Sequence, residues 1–113
     1  MRVRVKICGI TTVQDALIAA EAGCDAIGLV FYPRSPRSVS VEMARDIANA
    51  IPPFVARVGV FVDAEERVVR DVLERVELSQ LQFHGDELPA SCARFGLPYM
   101  KTIAVDGRVE LED

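Results

Sequence analysis

Short apolar runs, each followed by an amphipathic stretch with its own start and stop signals, constrain this chain more than any other feature. "VRVKIC" (Val3 to Cys8) alternates as a strand should. Thr12 then stands at an N-cap position with Asp15 three residues on, and "VQDALIAAEAG" predicts a helix to Gly23. "AIGLVF" (Ala26 to Phe31) is unbroken and apolar, as a buried strand is. A polar loop, "YPRSPRSV", leads to Ser40, which can cap a second helix through Ile51, before Pro52 and Pro53 stop it. "ARVGVFV" (Ala56 to Val62) is rich in β-branched residues, and Asp63 with Glu66 predicts a capping box for a helix to about Val76. "LSQLQFHG" (Leu78 to Gly85) reads as a fourth strand and "DELPASCARFG" as a helix with Pro89 in its first turn and Gly96 at its end. "YMKTIAV" (Tyr99 to Val105) reads as a fifth strand, and "DGRVELED" as a turn with the beginning of another helix.

The order β-α-β-α-β-α-β-α-β implies parallel pairing with right-handed crossovers. The repeat of roughly 20 to 30 residues fits βα units. Two architectures accommodate it. A doubly wound open sheet would be complete at 113 residues. A (β/α)₈ barrel typically needs at least ~200 residues, so this chain would be part of one. Pattern and length together favour the open sheet. No linker or second domain breaks the pattern, so residues 1–113 are expected to form one domain.

Composition narrows the function classes. A net charge of −4, without a dense Lys/Arg run, argues against a nucleic-acid partner. No stretch approaches the ~18 uninterrupted apolar residues of a membrane span, and "MRVRVK" is not a signal peptide. A cytoplasmic location is the expectation. The three cysteines, Cys8, Cys24 and Cys92, are too widely spaced for a disulfide framework or a zinc site. One histidine cannot make a metal site, and no carboxylate pair stands at a ligand spacing, so no metal is expected.

In either architecture ligands bind at the C-terminal ends of the parallel strands. That rule selects Cys8 and Gly9, the loop Tyr32 to Ser38, Asp63, His84 with Gly85, and Asp106. Cys8 could be a small buried hydrophobe. At a strand end it could also be a nucleophile or a proton-transfer base, were its pKa brought below the usual ~8.5. His84 could be structural, but its place in "QFHGD" points toward a ligand contact. Arg34 and Arg37 sit in a Pro-stiffened loop, where a guanidinium could be simply solvated or could hold an anion with two parallel hydrogen bonds. There is no GxGxxG and no P-loop, and the first turn, "CGITT", lacks the glycines of a dinucleotide fold. A redox thiol protein built on Cys8 would lack a nearby resolving cysteine.

Four motifs, in order and at matching spacing, resemble the phosphoribosylanthranilate isomerase (TrpF) family. They are "KICGIT" (Lys6 to Thr11), "GLVFYPRSPRSVS" (Gly28 to Ser40), "RVGVFV" (Arg57 to Val62) and "LQFHGDE" (Leu81 to Glu87). The resemblance runs to about Val105. It implies a TIM barrel truncated after the fifth strand, the N-terminal half of a fold of ~200 residues, and so reverses the preference for an open sheet. It also implies an Amadori rearrangement of N-(5-phosphoribosyl)anthranilate, a small phosphorylated substrate, without a cofactor. By resemblance Cys8 is the general base and Arg37 holds the anthranilate carboxylate. Gln82 and His84 are substrate-binding, through positioning or polarity.

The family's general acid ends the sixth strand, and its phosphate loops follow the seventh and eighth. Asp106 follows the fifth and does not inherit the acid's role. Losing one acid–base partner costs ~10²- to 10⁴-fold, so this chain alone is expected to be nearly inactive. Open edges at the first and fifth strands, and an open inner face, would favour self-association, partial order or a complementing C-terminal half. A non-catalytic half-barrel that serves as an assembly module is the other reading.

Overall fold

The computed structural model describes residues 3–102 and the backbone of residues 104, 105, 108 and 109. Five strands carry the sheet: β1 (Lys6–Cys8), β2 (Ala26–Val30), β3 (Ala56–Phe61), β4 (Gln80–Phe83) and β5 (Tyr99–Lys101). Four helices alternate with them: α1 (Val13–Glu21), α2 (Val41–Ala50), α3 (Glu66–Arg75) and α4 (Pro89–Ala93).

Local signals set most of the boundaries. The Thr12 hydroxyl accepts from the Asp15 N–H at 3.0 Å, and the Ser40 hydroxyl from the Met43 N–H at 3.0 Å, each satisfying a donor that the helix leaves free. α1 ends as Gly23 turns to φ +96, a conformation that costs glycine little. Three expectations need correction. Asp63 does not cap α3; Glu65 occupies the N-cap, and Asp63 turns to φ +48 and bonds elsewhere. α4 is a single turn-and-a-half of five residues, not a helix from Asp86 to Gly96. The fifth strand stops at Lys101, and Ala104–Val105 (β6) instead pairs antiparallel with Arg108–Val109 (β7), where a helix start was expected. Asp106 lies outside the described residues.

All pairings within the five-stranded sheet are parallel, and the strand order is β1-β2-β3-β4-β5. This order decides between the two architectures. A doubly wound sheet reverses direction after its first strands and covers both faces with helices. Here the order never reverses. One core joins Ala16 and Ala19 of α1, Ile47 of α2, Val69 and Val72 of α3 and Cys92 of α4 to Ile27, Leu29, Phe61, Leu81 and Phe83 of the strands. All four helices therefore cover the same face, as in a barrel wall.

The opposite, concave face holds Val30, Val58 and Val60 in a separate small cluster, all buried. The expectation of an open inner face thus fails at these three valines, which pack on one another and on Ala26 and Tyr32. Among the described residues no helix is long and apolar enough to cross a membrane.

Candidate active site

Side chains alternate across a strand, so residues two apart on β1 share a face. Cys8 pairs with Gly28 of β2 in register. A Cβ added to Gly28 would lie 2.8 Å from the Cys8 Sγ, so the sulfur rests over a glycine that leaves it room. Gly28 and Val58 are also register partners, which puts the thiol on the concave face, away from the helices. Cys8 is exposed.

The chain turns immediately afterwards. Gly9 adopts φ +86, and the Gly9 and Ile10 N–H groups both donate to the Gly28 carbonyl at 3.0 and 3.2 Å. Arg37 lies across this turn. A Cβ on Gly9 would sit 2.5 Å from the Arg37 Cδ and 3.1 Å from Nη1. Glycine is thus required twice over, by its backbone angle and by the arginine above it. Two consecutive tight turns bring Arg37 back, with Ser35 N–H donating to the Tyr32 carbonyl at 2.9 Å and Ser38 N–H to the Ser35 carbonyl at 3.1 Å. The Arg37 N–H also donates to the Ser35 hydroxyl at 3.1 Å. Arg34 points into solvent on the same loop.

Lys6 stands two residues before Cys8 on the same face, and its ammonium donates to the Gln82 Oε1 on β4. The Gln82 Nε2 in turn lies 2.6 Å from the His84 Nε2. Burial, and then the nearby Lys6 charge, lowers the His84 pKa from its ordinary value; Glu87 raises it and Lys101 lowers it again. Burial and the Lys6 charge both favour the neutral imidazole over the imidazolium. Cys8 and His84 each stand two residues beyond the Lys6–Gln82 pair on their own strands, at the C-terminal rim.

Asp63 and Gly85 form part of this rim but as structure. The Asp63 Oδ1 accepts from the Asp86 N–H at 2.7 Å, and the Asp63 N–H donates to the Glu87 Oε2 at 2.7 Å. A Cβ on Gly85 would meet the Asp63 carboxylate at 2.4 to 2.5 Å. Lys101 donates to the Gly85 and Thr102 carbonyls, and its Nζ faces the buried Glu87 Oε1 at 3.5 Å. These bonds clasp the loop that follows His84. Lys6, Asp86 and Glu87 lie within the family motifs, but the sequence did not show these contacts, because Lys6–Gln82, Asp63–Asp86, Asp63–Glu87 and Lys101–Gly85 each join residues 16 or more positions apart.

The cysteines divide by environment. Burial raises the pKa of Cys24, helped by Asp25, and of Cys92, helped by Glu87. Both are buried among apolar side chains. A thiol titration of the folded chain should therefore show one fast-reacting cysteine, lost in Cys8→Ala, and two that react only on unfolding. Mass spectrometry of the singly labelled chain locates the site.

Comparison with known proteins gives the family and bears out the fold. The N-(5'phosphoribosyl)anthranilate (PRA) isomerase family matches residues 5–113. An N-(5'-phosphoribosyl)anthranilate isomerase of Stutzerimonas stutzeri is 58% identical over 105 residues, covering 93% of this chain and 51% of its own length. The crystal structure of the Thermotoga maritima phosphoribosyl anthranilate isomerase superposes with a TM-score of 0.87 at 47% identity, covering 92% of this chain and 52% of that one. A phosphoribosyl anthranilate isomerase in complex with reduced 1-(o-carboxyphenylamino)-1-deoxyribulose 5-phosphate superposes with a TM-score of 0.88 at 47% identity, covering 93% and 55%. The chain spans about half the length of these relatives. It belongs to the N-(5'-phosphoribosyl)anthranilate isomerase family.

Proposed function

We propose that residues 1–113 are a single domain, the N-terminal portion of a (β/α)₈ barrel that rearranges N-(5-phosphoribosyl)anthranilate to 1-(2-carboxyphenylamino)-1-deoxyribulose 5-phosphate in tryptophan biosynthesis. The observation that carries this reading is the Cys8 sulfur on the concave face with Arg37 across the adjoining turn. Placement behind the sheet, among the helix side chains, would have removed the base from any substrate.

The roles follow from charge and reach. The Arg37 guanidinium holds the anthranilate carboxylate through two parallel hydrogen bonds. A general acid protonates the ribose ring oxygen, the ring opens, and the nitrogen becomes an iminium. The Cys8 thiolate takes the C2 proton, giving an enolamine that tautomerises to the ketone. The iminium is the electron sink, so the reaction needs no cofactor. Gln82 and His84 line the substrate region from β4. The acid and the phosphate grip belong to the sixth and later strands of the family's barrel.

The outer edges of β1 and β5 have no strand beside them among the described residues. That observation favours a second reading, a half-barrel whose role is assembly with another chain. One experiment separates the two. The purified chain is assayed for isomerisation alone and after mixing with the C-terminal half of the Stutzerimonas stutzeri relative. The expected result is negligible turnover alone and measurable turnover in the mixture. A mixture that co-sediments without turnover would favour assembly only. Turnover by the chain alone near that of a whole enzyme would refute the division of roles.

A further inference from the structure

The Lys6–Gln82–His84 chain of contacts fixes more than position. An ammonium can only donate, so the Gln82 oxygen beside Lys6 is the acceptor of that bond. The amide nitrogen must then be the atom that faces His84, as it is at 2.6 Å. An amide NH₂ can also only donate. The His84 Nε2 must therefore accept and carry no hydrogen, and the neutral ring places its proton on Nδ1. Without Lys6 the amide could turn over and present its oxygen, and the other tautomer would be satisfied equally well.

We propose that Lys6 is a positioning residue that acts through Gln82 to hold His84 as the neutral Nδ1–H tautomer, making the imidazole a hydrogen-bond donor at the rim and not a base. Its Nε2 lone pair is occupied by Gln82. No hydrogen bond from Nδ1 is formed among the described residues, and His84 is exposed, so the Nδ1–H is free for a ligand oxygen. This suits a site whose proton acceptor is Cys8, because a second base beside it would compete for the same proton. That last step rests on the isomerase reading; the tautomer does not.

The charged groups around the ring act in both directions. Lys6 on β1 and Lys101 on β5 disfavour the imidazolium, and Glu87 in the loop after β4 favours it. Lys6→Met therefore removes both a charge and the anchor of the amide.

His84 is the only histidine, so nuclear magnetic resonance of the 113-residue chain reads it without ambiguity. Long-range ¹⁵N–¹H couplings should show the Nδ1–H tautomer dominant in the unliganded protein. A dominant Nε2–H form would overturn the proposal. In Lys6→Met, with a dispersed amide spectrum confirming the fold, the tautomer ratio should fall by roughly three- to tenfold, the effect of one hydrogen bond, and the titration should move up. Lys6→Arg should restore the original ratio. An unchanged ratio in folded Lys6→Met would overturn the role of Lys6. Should that variant not fold, Gln82→Glu tests the Gln82 link on which the role of Lys6 depends. A carboxylate only accepts, so the neutral ring must carry its proton on Nε2, and a neutral ring that kept the proton on Nδ1 would sink the idea. Because the measurement is made without ligand, failure in the reconstituted isomerase assay would leave it standing, and the reverse holds too.

Discussion

Replacing Cys8 by alanine in the reconstituted barrel lowers isomerisation by about 10²- to 10⁴-fold, the range typical for loss of a positioned acid or base. The fold should hardly notice. Cys8 is exposed on the concave face, with its sulfur over Gly28, and its truncation leaves no cavity in the core that joins the helices to the sheet. Substrate affinity should also hold, because the carboxylate contact assigned to Arg37 is untouched. Arg37→Ala should do the opposite, raising KM more than it lowers kcat, since an anchored carboxylate is bound alike in substrate and transition state. The separation is the informative result. Steady-state kinetics of the two variants, each mixed with the same C-terminal half, measures it. If Cys8→Ala retained more than about a tenth of the activity, the thiol would not be the base, and another group on the concave face would have to take the C2 proton. Cys8→Ser should recover little, because a hydroxyl is a far weaker acid than a thiol and supplies almost no anion near neutral pH.

How much of this was legible in the sequence depends on how far each interaction reaches. Thr12 and Ser40 cap helices through bonds to residues three positions on, and both were readable. Asp63 sits in an equally good capping pattern with Glu66, yet its carboxylate goes to the Asp86 N–H, a residue brought near only by the sheet. The local and the distant partner compete, and a linear pattern shows only the first. The same limit hid the strand order from pattern alone. Alternating strands and helices by themselves fit a sheet that reverses or one that does not; the family motifs pointed to the barrel, and the pairing of β1 with β2 and on through β5 bears that out. Cys8 and Arg37 were legible because they lie at strand ends, where chemistry in parallel folds is placed, and within motifs of the family. Lys6 was not. A lysine within an alternating strand reads as a solvated charge, and its partner is 76 residues away.

Arg57 is the other residue whose role the sequence hid, and its loss should destabilise the folded chain by about 2 to 4 kcal/mol. α2 must stop before Pro52 and Pro53, and its last carbonyls have no helical donors. The Arg57 side chain, rising from β3, meets them. Nε and Nη2 donate to the Ala48 carbonyl at 3.1 and 2.7 Å, and Nη2 to that of Ile51 at 3.0 Å. Nη1 donates to the Pro52 and Val55 carbonyls at 3.2 and 2.6 Å. The five bonds engage every nitrogen of the guanidinium, and the positive charge sits at the negative end of the helix dipole. Arg57→Leu leaves the Ala48, Ile51 and Val55 carbonyls, beside the buried Ile51 and Val55 side chains, with only such water as can enter, while the Pro52 carbonyl keeps the Val55 N–H at 3.1 Å. Arg57 is half-buried, so water offsets part of the loss, which keeps the expected cost below the sum of five charged bonds. Arg57→Lys should recover less than half, because a point ammonium cannot span carbonyls arranged around a planar fork. Urea unfolding with an unchanged slope gives the difference directly. Salt supplies the control. Exposed ion pairs such as Glu66–Arg70 are screened, whereas bonds from a guanidinium to neutral carbonyls are not, so the Arg57→Leu deficit should persist at high ionic strength. A deficit below about 0.5 kcal/mol, the level of an ordinary surface substitution, would mean that water replaces the arginine at the end of α2.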